Sequence, residues 1–81
     1  MNPIPSSTAQ DAGRLGVLAM KFRGTRRDTE RRDIAKDYSQ TVERLIHSGR
    51  WNEMPPPEDQ LPEDWMPPAF FEYWSRQQDA P

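Results

Sequence analysis

Six prolines fall within fourteen residues, at positions 55, 56, 57, 62, 67 and 68. Each locks its own φ and removes a backbone donor, so no long helix crosses this stretch and no central strand includes it. Regular structure must come from the residues on either side. Residues 50–67 are left as an extended, polyproline-like strap broken by turns. The same region is rich in rings: residues 51–74 read WNEMPPPEDQLPEDWMPPAFFEYW. Within it PEDQL and PEDWM form a weak repeat. In each, proline suits the first position of a helical turn, and the two acids after it suit the turn's positive end. Two single helical turns are predicted, directing Leu61, Trp65 and Met66 toward one surface. After Pro67-Pro68 a short helix over about 68–77 is predicted, with Phe70, Tyr73 and Trp74 on one side and Phe71 at the edge.

Upstream of the strap the periodicity is helical. Ser7 or Thr8 suits a cap, and Gln10 stands three residues after Ser7 as in a capping box. A first helix over 8–23 places Ala12, Leu15, Leu18, Ala19 and Phe22 on one face, with Gly24 as its stop. Val17 and Met20 lie on the other side. Gly13 and Gly16 permit a close backbone approach, which allows either a central helix touched on two sides or a homodimer seam through Gly13, Gly16, Val17 and Met20. In the second helix Ile34, Ala35, Tyr38, Thr41, Val42, Leu45 and Ile46 recur at spacings of three and four. Gly49 ends it. Its start is expected at Asp28 as cap, with Glu30 in the first turn. A start at Thr25 would turn the apolar stripes of both helices away from each other. An antiparallel hairpin with a basic loop of about four residues follows, pairing Ile34 with Leu18 and Tyr38 with Leu15.

The expected fold is thus all-α: a small helical hairpin over 8–23 and 28–48, covered by the acidic strap 50–67 and closed by the aromatic helix 68–77. Residues 8–76 form one small domain between loose ends at 1–7 and 78–81. A chain of 81 residues buries a modest core. It has no cysteine and one histidine, so disulfide and thiolate-metal staples are ruled out and no metal site is expected. No apolar run has membrane-spanning length, and the first residues lack a signal-peptide pattern. A cytoplasmic protein without membrane contact is expected. Charge is divided: residues 14–50 carry ten basic side chains against five acidic, and residues 51–81 one against seven. The halves are expected to fold on one another, screened by salt where exposed; the other reading is that each serves a different partner.

Catalytic signatures are missing. The serines lack a nucleophile-elbow context, the glycines form no phosphate loop, and the acid pairs lack calcium-loop spacing. No cofactor is expected, and the chain reads as non-enzymatic. Arg23, Arg26, Arg27, Arg31 and Arg32 are candidates for phosphate contact, which would make the protein a nucleic-acid binder. Interleaved Asp28, Glu30 and Asp33 weaken that field. The favoured reading is an accessory, adaptor or inhibitor protein acting by protein–protein contact. The candidate contact residues are Trp65, Met66, Phe71 and Trp74, because Trp, Tyr and other large rings dominate interface energies. A structural homodimer is the remaining alternative.

Overall fold

Helix α1 (Ser6–Gly24) and helix α2 (Asp28–Ser48) lie side by side as an antiparallel hairpin. The computed structural model describes the backbone of residues 6–79 and the side chains of residues 8–77. Two ion pairs fix the hairpin register: Arg14 with Asp37, and Arg44 with Asp11 at 3.2 Å. Between them Leu15, Tyr38, Val42 and Leu45 are fully buried, joined by Leu18, Ala19 and Phe22. Among the described residues Thr41 is the one buried polar side chain, and its hydroxyl donates to the Asp37 carbonyl at 2.8 Å.

The helix ends differ in detail from their expected places. α1 begins two residues earlier than expected and takes in Gly24. The Thr25 N–H donates to the Phe22 carbonyl and closes the last turn. Three residues, not four, then connect the helices. Arg27 holds the N-cap position in extended backbone, and Asp28 is the first helical residue rather than the cap. Thr25 takes part of the capping role from outside the helix. Its hydroxyl donates to the Glu30 carboxylate and accepts from the Arg27 N–H. At the far end Gly49 adopts φ 69°, and its N–H donates to the Ile46 carbonyl at 3.2 Å. A side chain there would meet the left-handed penalty that glycine avoids. Of the expected loose ends, residues 1–5 and 80–81 lie outside the described residues. Ser6, Ser7, Gln78 and Asp79 are in helices.

The strap contains the two expected turns, both as single 3-10 turns, Pro57–Asp59 and Glu63–Trp65. It is tied to the helices by side chains reaching its carbonyls. Tyr38 donates to the Asp59 carbonyl at 2.6 Å, and Arg23 to the Glu58 carbonyl at 2.7 Å. Leu61 and Met66 enter the core, and the Leu61 N–H points at the Met66 sulfur at 3.3 Å. Helix α3 (Pro68–Asp79) closes the fold with Phe70 and Trp74 buried against Trp51. Trp51 stacks on Tyr73 at 5.4 Å between centroids and meets Trp74 edge-on at 5.0 Å. The Tyr73 hydroxyl donates to the Trp51 carbonyl.

Two outcomes test this assembly. Trp51→Ala removes the ring on which α3 rests and is expected to cost about 3–5 kcal/mol. A domain this small has little more than that in total, so circular dichroism is expected to show loss of helix at 25 °C in that variant. The second concerns Tyr38. Burial first, and the Asp59 charge second, push its phenol above the ordinary value of 10.0. The unfolded chain therefore releases this proton at lower pH than the folded one. The stability this confers is complete below about pH 10 and is lost as pH rises toward the folded value. Tyr38→Phe is expected to lower stability by about 1–2 kcal/mol at neutral pH. It is also expected to flatten the fall in melting temperature between about pH 9 and 11.

Candidate interaction surfaces

The first surface is built on α3. Spacing of three and four turns Phe70, Tyr73 and Trp74 inward onto Trp51. Phe71, one residue out of phase, projects from the helix and is 45% exposed. Its ring meets Phe70 edge-on at 5.6 Å, so it stands on a packed base. The other three candidate contact residues lie elsewhere. Trp65 is half-buried, its ring set against Phe22 at 5.3 Å. Met66 and Trp74 are in the core, at 7% and 8% exposure. They do not form one outward patch with Phe71. The strap bends at Met66, where backbone φ −71° and ψ 139° end the second 3-10 turn, and the thioether folds back under Leu61. Trp74 is covered by Trp51 and Tyr73. Its indole N–H is buried without an acceptor among the described residues.

The second surface is the outer side of α1. Val17 is 51% and Met20 68% exposed. Ala9, Gly13 and Gly24 are exposed on the same side. The two glycines singled out by the sequence are not equivalent. A Cβ at Gly13 would meet nothing within 4 Å. A Cβ at Gly16 would lie 2.9 Å from Oδ1 of Asp59. Gly16 thus admits the strap's carboxylate against the helix and is not part of an open face. Ala12, placed by the helical wheel on the buried side, is exposed. With Ala9, Gly13, Trp51, Met54 and Pro55 it lines a groove of about 470 Å³ between α1 and the strap. Met54 is 48% exposed there. It follows no helical period, so sequence pattern carried no signal for it.

The third candidate is the arginine loop. Arg31 donates to the Thr25 carbonyl and sits 5.6 Å from the Phe22 ring centroid. Arg27 pairs with Glu30 at 3.9 Å, and Arg23 reaches the Glu58 carbonyl. Arg26 and Arg32 are exposed and have no such contacts among the described residues. Three of the five guanidinium groups are thus engaged in holding the hairpin end and strap. The acidic pairs Glu58-Asp59 and Glu63-Asp64 lie in the 3-10 turns, without a side-chain capping bond, and the Asp59 carboxylate lies against Gly16 instead. Among the described residues no three metal-ligating side chains converge. No described helix is long and apolar enough to cross a membrane. No family model, curated protein or solved structure matches this chain.

The contrast between the glycines gives a stability test. Gly13→Ala gains helix propensity at no steric cost and is expected to stabilise by about 0.5–1 kcal/mol. Gly16→Ala gains the same propensity but displaces the Asp59 carboxylate, which loosens the strap. Urea denaturation is expected to show Gly13→Ala above wild type and Gly16→Ala at or below it.

Proposed function

We propose that the protein is a non-enzymatic accessory or adaptor subunit of the cytoplasm that acts by protein–protein contact, with Phe71 as its anchor. The observation that carries this reading is the position of that ring. Phe70, Tyr73 and Trp74 complete a ring cluster around Trp51, and Phe71 stands on that cluster pointing away from it. An aromatic side chain on a rigid base loses little conformational freedom on docking, which is the character of an interface hot spot. The nucleic-acid reading is weaker, because Arg23, Arg27 and Arg31 already have partners inside the fold.

A photo-crosslinking residue placed at position 71 tests the proposal in the native host. Irradiation is expected to give a discrete protein adduct, with no such adduct from the same residue at the exposed, charged position Glu43. Purified Phe71→Ala is expected to keep its fold and to lose that partner. Equal labelling from both positions, or a partner retained by a folded Phe71→Ala protein, overturns the proposal.

A further inference from the structure

One wall of the groove between α1 and the strap is a face of small residues. Ala9, Ala12 and Gly13 are spaced by three and by one, so they share a side of the helix, and all three are exposed. Nothing lies within 4 Å of the missing Cβ of Gly13. The opposite wall is an arch of the strap, residues 52–56, with Met54 at its middle, and the space between the walls is about 470 Å³. Met54 is the largest apolar side chain of the arch and is 48% exposed. The arch is held at both ends. Trp51 is packed beneath α3, and Asp59 accepts from Tyr38 and sits against Gly16. Between these anchors, no hydrogen bond among the described residues uses Asn52, Glu53 or Met54.

We infer that the arch is a lid, which closes onto α1 by seating Met54 beside Ala12 in the gap over Gly13. Each feature of the arch lowers the cost of that motion. Its two ends are already fixed, so most of the loop-closure entropy is lost before the lid moves. No hydrogen bond to Met54 or the two residues before it has to break. Methionine has three rotatable bonds and fills irregular gaps. Pro55 and Pro56 hold a fixed φ, so the change in backbone angle falls on Asn52 and Glu53. The chain already bends at Glu53. Closing removes the Met54 side chain and the Ala9 and Ala12 methyls from water, and that apolar burial drives it. The gap exists because position 13 has no side chain, so a larger residue there holds the lid open. The groove is therefore gated: when the lid is closed the chain covers its own apolar wall, and a ligand enters only by displacing Met54.

Methionine oxidation reads the lid, with Met20 as a reference on the same molecule. Met20 is 68% and Met54 48% exposed, so with the arch fixed open their sulfurs react with peroxide at rates within about twofold of each other. A lid closed about four-fifths of the time lowers the Met54 rate about fivefold. Dilute protein is treated with hydrogen peroxide, and sulfoxide at each position is followed by peptide mass spectrometry. Met54 is expected to oxidise about fivefold more slowly than Met20. Gly13→Leu, folded by circular dichroism, fills the gap. It is expected to bring the Met54 rate within about twofold of Met20 and to leave the Met20 rate unchanged. Nuclear Overhauser contacts from the Met54 methyl to the Ala9 and Ala12 methyls are expected in the unmodified chain and are expected to vanish in that variant. Rates within about twofold in the unmodified chain, slow Met54 oxidation that Gly13→Leu leaves unchanged, or absence of those methyl contacts overturns the inference.

Discussion

The fold depends on where Trp51 is put. Gly49 stops α2 in the left-handed conformation, and two residues later the chain turns Trp51 beneath α3. That indole touches Phe70, Tyr73 and Trp74, and its carbonyl receives the Tyr73 hydroxyl. The helix that closes the molecule is therefore seated on a residue delivered by the helix that begins the strap. Isolated helices of this length are marginal in water, and two of them share only a narrow seam. Burying Trp51, Phe70 and Trp74 supplies apolar contact that the hairpin lacks, each ring contributing up to about 3 kcal/mol.

The strap can lie on the hairpin because of its prolines as well as in spite of them. Pressing irregular backbone onto a core strands donors that have no helix or sheet to satisfy them. Six residues between 55 and 68 have no N–H to strand. Other donors are met locally, as when Asp59 and Trp65 donate to Pro56 and Pro62 at 2.8 Å. The carbonyls are met from the helices, by Tyr38 and Arg23, or from the strap's own Gln60, which donates to the Pro55 carbonyl at 2.7 Å. Asp59 is the tightest point. Its carbonyl takes the Tyr38 hydroxyl from α2, and its carboxylate occupies the space that Gly16 leaves on α1. One strap residue thus touches both helices of the hairpin.

Most of the helical frame was legible in the sequence, and the reasons are local. The stripe from Ile34 to Ile46 admits one buried face, and in the structure Tyr38, Thr41, Val42 and Leu45 are all buried. Proline followed by two acids specifies a turn start wherever it occurs, hence the pair of 3-10 turns. What was not legible is which side of an aperiodic segment faces in. Leu61, Trp65 and Met66 were expected on one surface and do pack on one core, but nothing in their spacing could reveal that Met66 curls under Leu61 while Trp65 leans on Phe22. Trp74 was placed on the correct side of α3 with Phe70 and Tyr73. Its near-complete burial depends on Trp51, twenty-three residues away, and no periodicity connects the two. Gly13 and Gly16 looked alike because their difference is made entirely by Asp59.

Small domains expose apolar side chains as a matter of course, so exposure alone identifies nothing. What separates Phe71, Val17 and Met20 from that background is that the core is filled without them. Leu15, Tyr38, Val42 and Leu45 are completely covered by other residues. A chain at the lower limit of independent folding gains nothing in stability from a methionine or phenylalanine held in water. Lysine or glutamate at those helical positions would preserve helix propensity and raise solubility. The two faces also differ in construction. Phe71 is a single exposed ring on a packed base. The outer side of α1 combines an exposed methionine with the bare backbone of Gly13.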